Sequence, residues 1–96
     1  MATVYILVKV GEPQEPEKIS TIEANLASKF ANRWRRLQHG SYLVAADEPL
    51  LTRDVSDMTG ISDGQVGSYI VTRMDSYYGW AGQEVWEWIS TFGKPS

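Results

Sequence analysis

The chain has 96 residues, 43% of them hydrophobic, a net charge of −3 and no cysteine. That length suits a single hydrophobic core, and a chain of this size buries roughly two thirds of its unfolded surface without staples. The missing thiols exclude disulfides, thiolate zinc sites and a Cys nucleophile. The acidic balance argues against nonspecific nucleic-acid binding, which needs a basic face.

The opening apolar run is too short to span a membrane and has no basic leader before it, so a cytoplasmic location and no membrane contact are expected. Thr3–Val10 is β-branched and aromatic and is closed by Gly11. Val4, Ile6, Val8 and Val10 alternate with Thr3, Tyr5, Leu7 and Lys9. Both sides are apolar in the middle, which predicts an interior strand. One side is expected to meet helices; the Tyr5 and Leu7 side then needs a cover, for which a partner subunit is a candidate. Gly11–Lys18, with its prolines and glutamates, reads as a solvated loop.

A first helix is expected from about Ser20 to Asn32. Ser20 and Glu23 have capping-box spacing, and Ile19 could staple onto Ala24. Ile22, Leu26 and Phe30 make one stripe. From Arg33 the period changes to two: Trp34 and Arg36 point one way, Arg33, Arg35 and Leu37 the other. That predicts a short strand, with a helix unbroken to Leu37 as the alternative. Gln38-His39-Gly40 supplies a turn, its glycine at positive φ. Tyr42–Ala46 is apolar on both faces and reads as a second interior strand.

Asp47-Glu48-Pro49 opens a second helical region. Leu51, Val55 and Met58 form its expected stripe, Thr52 is an alternative N-cap, and Gly60 the C-cap before Ile61 returns to the core. Gly67–Met74 is the fourth strand. Asp75–Gly82 is a structured loop, Gln83–Phe92 a short helix, and residues 93–96 a tail. The expected fold is one α+β domain over 1–96, a ferredoxin-like βαββαβ sandwich with a short C-terminal helix.

The order and spacing resemble the small SinR-like bacterial and phage proteins. These are relatives in fold of the ferredoxin-like metal-dependent nucleases of CRISPR adaptation. The resemblance is carried by Tyr5-Ile6-Leu7-Val8, Ser41-Tyr42-Leu43-Val44, the acidic helix Thr52–Asp57, the stretch from Asp63 to Val71, and Trp80-Ala81 with Glu87-Trp88. It implies the scaffold and a dimer. In the nuclease branch an Asp closes the first strand, and two of them across a dimer axis would hold a metal that activates water. Here Lys9-Val10-Gly11 occupies that register, and a valine cannot ligate a metal.

His39 sits in a turn with no acid nearby in sequence, which makes it a poor general base. Asp54 and Asp57 share a helix face near Asp47, Glu48 and Asp63, but no tight loop gathers their oxygens; favourable charge at a helix N-terminus explains them. No metal or other cofactor is expected. Lys29, Arg33, Arg35 and Arg36, with Arg73 a further member, form a basic cluster around Trp34. Such a cluster could contact nucleic acid or an acidic partner, or simply protect an edge strand. Tyr77, Tyr78, Trp80, Trp86 and Trp88 concentrate aromatic area, as core or as a protein interface. Trp86 and Trp88 lie about 200° apart on a helix, so one should point away from its own core. The reading reached by elimination is a non-enzymatic interaction or regulatory protein. It would be an accessory factor or inhibitor from a phage or mobile element, homodimeric and with a protein partner. A nucleic-acid binder and a divergent metal-dependent nuclease are the alternatives.

Overall fold

The computed structural model describes residues 3–37, 40–47, 49–74 and 87–89. Among these residues the structure is α+β: four antiparallel strands carry the two helices that connect them on one face. The elements run β1 (Thr3–Lys9), α1 (Pro16–Phe30), β2 (Trp34–Arg36), β3 (Tyr42–Ala46), α2 (Thr52–Thr59) and β4 (Tyr69–Arg73). The strand order is β2-β3-β1-β4. Each β-α-β unit therefore straddles a strand of the other: β3 lies between β1 and β2, and β1 between β3 and β4.

β1 is interior because both of its edges are paired. It meets β3 with Tyr5 opposite Val44, and β4 with Leu7 opposite Val71. Its faces are the reverse of the sequence expectation. Tyr5 and Leu7 turn to the helices, where they pack with Ile22, Leu26 and Phe30 of α1, Val55 of α2, and Tyr42 and Val44 of β3. Val4 faces the other way and joins Leu43, Ala45 and Ile89, with Ile6, Leu37, Met74 and Trp88 packed around them. Alternation alone assigns residues to two sets; which set meets the helices depends on the crossover that follows. The outer face thus has a cover from its own chain over its β1–β3 half.

α1 begins earlier than its apparent cap. Glu15 is the extended N-cap residue and Pro16 enters the first turn, where its missing N–H costs nothing. The expected loop over Gly11–Lys18 therefore ends at Glu15, and Ser20 lies inside the helix. The supposed capping box fails because Glu23 is used elsewhere. The stripe Ile22, Leu26 and Phe30 is buried as expected. The helix stops at Phe30, and the Arg33 N–H donates to the Phe30 carbonyl at 2.9 Å to close the turn. Arg33–Leu37 is extended, not helical: beyond β2 itself, Ala45 N donates to Arg33 O and Leu37 N to Ser41 O.

In α2 the stripe shifts by one residue at its start. Leu51 is exposed at 61%, while Leu50 packs on the core and its carbonyl accepts the Tyr5 hydroxyl. The Asp54 carboxylate accepts the Leu51 N–H at 2.9 Å, which serves an orphan donor at the helix start. Gly60 closes the helix at φ 88°, and Ile61 returns to the core. Thr59 is buried because its hydroxyl donates to the Val55 carbonyl at 2.8 Å. The fourth strand starts at Tyr69 rather than Gly67. Of the short C-terminal helix, residues 87–89 are helical; the rest of Gln83–Phe92 lies outside the described residues.

Ala31, after α1, has φ 54° and ψ −117°. Glycine adopts that conformation freely, whereas a Cβ makes it strained. Ala31→Gly is expected to raise stability by roughly 0.5–1 kcal/mol net of the extra freedom it gives the unfolded chain; the urea midpoint measures it.

Candidate functional site

The basic segment does not make one surface. Period-two alternation in β2 sends its members to opposite faces of the sheet. Arg36 turns to the helix side and grips Glu23 of α1 with both ends of its guanidinium, Nε to Oε2 at 2.7 Å and Nη2 to Oε1 at 2.6 Å. Tyr42 donates its hydroxyl to the same Oε2 at 2.8 Å. Trp34 lies edge-on to the Tyr42 ring, with centroids 5.9 Å apart. Arg35, half-buried, lies on the opposite side of β2. Arg33, before the strand, pairs with Asp47 after β3. Lys29 is exposed on the last turn of α1, where a cation complements the dipole. Arg73 lies on β4, at the other end of the strand order from β2.

The electrostatics follow from this pairing. The Arg36 guanidinium holds the Glu23 carboxyl below its ordinary value; burial opposes the shift and the Tyr42 hydroxyl adds to it. Burial, reinforced by the Glu23 carboxylate, drives the Tyr42 phenol well above its usual value. Two of the clustered cations are thus bound to carboxylates within the chain, and their charge is largely neutralised at short range.

Lys29 and Arg33 do meet at one feature. A shallow, open groove of about 360 Å³ runs past Lys29, Phe30, Ala31, Arg33, Ala45, Ala46, Asp47, Leu50 and Met58. Its floor is apolar and its rim carries two cations and one carboxylate.

A polar knot closes the other end of the sheet. The Tyr69 hydroxyl donates to the Gly40 carbonyl at 2.5 Å and accepts from Gln14 Nε2 at 2.9 Å. The same amide reaches Val66 O at 2.8 Å. Burial pushes the Tyr69 phenol up to about 12, against the lowering effect of Gln14. Lys9 lies 5.9 Å from the Tyr69 ring and donates Nζ to the Val10 carbonyl at 2.6 Å. The end of β1 therefore holds an ammonium directed at backbone and ring. Gly67 stands at φ 99°, where a side chain is strained, and a Cβ there would lie 2.9 Å from Gln14 Oε1, so the amide would have to shift.

The acids are dispersed. Asp54 caps α2, Asp47 pairs with Arg33, and Asp63 lies in the turn after α2, 3.5 Å from Gln65 Nε2. Among the described residues no group of three or more His, Asp or Glu could hold a metal ion. His39, Glu48, Tyr77, Tyr78, Trp80 and Trp86 lie outside the described residues. Trp88 is half-buried against the Val4–Leu43–Ala45 cluster of its own chain, so at least this member of the aromatic set contributes to packing.

One surface was missed in the sequence. β4 lies at the edge of the sheet, and Ile70 on its outer side is 54% exposed. It stands opposite Val8, itself only half-buried, as is Ile6. The alternation Ser68, Ile70, Thr72 and Met74 was the available signal; it could not say that Ile70 falls beyond the reach of Ile89. Among the described residues no helix is long and apolar enough to cross a membrane. No family model, curated protein or solved structure matches the chain.

Glu23 gives a pH signature. Its lowered folded pKa stabilises the fold fully above the ordinary value of 4.5, and that contribution is lost as pH falls through the depressed folded value. Urea midpoints of wild type and Glu23→Gln are expected to differ most at neutral pH and to converge in acid below that value.

Proposed function

We propose that this chain is a non-enzymatic interaction protein that docks a protein partner along β4 and the outer face beside it. The single observation that carries the reading is the contrast in length and side chains between β2 and β4, the two outer strands among the described residues. β2 is three residues long, Trp-Arg-Arg, which is how natural sheets discourage strand addition: short and charged. β4 has five residues, Tyr-Ile-Val-Thr-Arg, with an exposed isoleucine next to half-buried Ile6 and Val8. An apolar strand at a sheet edge is a template for partner binding.

The neutralisation of Arg33 by Asp47 and of Arg36 by Glu23 supports the same reading over nucleic-acid binding. A phosphate backbone would have to displace carboxylates already in place. The strand order β2-β3-β1-β4, with both helices on one face, supports a ferredoxin-like assignment and is compatible with the scaffold implied by the SinR-like resemblance. The nuclease chemistry of the related branch gains no support from Lys9-Val10-Gly11.

The test compares wild type with Ile70→Lys, a change on an exposed position that should leave the circular dichroism and melting temperature unchanged. Partners captured from the native host are purified and rebound. Wild type is expected to bind a purified partner, or itself, and Ile70→Lys to lose at least tenfold in affinity, the scale of a central apolar anchor. Two results overturn the reading. One is Mg²⁺- or Mn²⁺-dependent cutting of DNA or RNA that Asp63→Asn abolishes. The other is nucleic-acid affinity that falls steeply with salt and disappears in Lys29→Glu.

A further inference from the structure

We infer that the groove between the end of α1 and the lead into α2 binds a small apolar monocarboxylate, its body on the apolar floor and its carboxylate beside Lys29. This site is independent of docking on β4. The residues that shape it come from four stretches: the last turn of α1, the turn after it, the end of β3 and the lead into α2 with Met58 beyond. Phe30, Ala46, Leu50 and Met58 supply apolar lining. Phe30 and Ala46 belong to the buried core, whereas Leu50 and Met58 are half-buried and pack at its margin. The core therefore reaches the surface here. At about 360 Å³ the groove stands at the low end of the range for small-molecule sites, which limits the occupant to a small molecule. The Met58 thioether, unbranched and pliable, lets the wall adapt to its shape.

The sign of the ligand's polar group follows from the rim. Arg33 is paired with Asp47, and at short range that pair presents little net charge. Lys29 lines the same groove and is exposed. Among the described residues the two cations and one carboxylate thus leave one positive charge in excess. A single carboxylate answers it; an ammonium is repelled. A second feature falls at the same spot. Ala31 lines the groove with φ 54° and ψ −117°, and among the described residues it is the one non-glycine residue at positive φ. It is the second residue of the turn that Arg33 N closes onto Phe30 O at 2.9 Å, a position that glycine fills at least cost. Strained backbone collects at ligand clamps, where it fixes a binding surface in advance. An apolar depression with an unanswered cation and a costly turn conformation therefore coincide.

The experiment titrates octanoate, below the concentration at which it forms micelles, into the full chain while backbone amide NMR shifts are followed. Saturable shifts confined to the segments around Ala31, Ala46, Leu50 and Met58 are expected. Lys29→Gln changes an exposed position and should leave the melting temperature in place. It is expected to weaken octanoate about fivefold, the upper scale of an exposed ion pair. Octylammonium, the same chain with the opposite charge, is expected to bind wild type more weakly than octanoate does, and the gap should narrow in Lys29→Gln. Ala31→Gly separates binding from folding: the fold gains stability, yet octanoate binds more weakly because a looser turn must be ordered. Ile70→Lys, on β4, should bind octanoate as wild type does. Shifts that do not saturate, or that centre elsewhere, overturn the inference. So does an affinity that neither Lys29→Gln nor Ala31→Gly lowers, and so does octylammonium binding as well as octanoate. A loss in Ile70→Lys puts the ligand on β4 and overturns the groove site.

Discussion

β1 has to be satisfied on four sides. Its edges are hydrogen-bonded to β3 and β4, one face is sealed by α1 and α2, and Val4 on the other meets Ile89. A strand with apolar residues in both registers is best placed in the interior of a sheet, and the rest of the chain is arranged around it. The two β-α-β passes do this by interleaving: each places its second strand one position beyond a strand of the other. Val55, Leu26 and Ile22 then converge on Tyr5 and Leu7, and these side chains are fully buried, which removes their apolar area from water.

Long-range polar contacts fix how the helices sit on that sheet. Glu23 ties the middle of α1 to Arg36 and Tyr42, binding helix, edge strand and interior strand in one network. Asn25 Nδ2 donates to the Thr59 carbonyl at 2.8 Å, linking α1 to the end of α2. Tyr5 reaches Leu50 ahead of α2. Each bond also disfavours a slipped helix position, because a shift of one residue would break it.

Much of this architecture was legible in the residues. The change of period at Arg33, the apolar run Tyr42–Ala46, the stripe Ile22–Leu26–Phe30 and the glycine after α2 all announced their elements. Local signals failed where distant groups competed for the same side chain. Ser20 and Glu23 have the spacing of a cap, yet the carboxylate pairs with a guanidinium on the next element. Leu51 and Leu50 are indistinguishable by composition; only the approach of the chain to α2 decides which is buried. The basic cluster was legible as composition but not as a surface, since neighbours along a strand face opposite ways. The exposed flank of Ile70 depends on how far the segment around Ile89 extends over the sheet, a matter of tertiary reach that periodicity does not encode.

Tyr69 occupies two roles at once, as a strand residue and as the hub of the knot with Gly40 and Gln14. Its phenol cannot swing aside without releasing the hairpin turn and the segment leading into α1 together. Thermal opening at that end of the molecule is consequently cooperative: separate connections share a single hinge pin and fray as one unit.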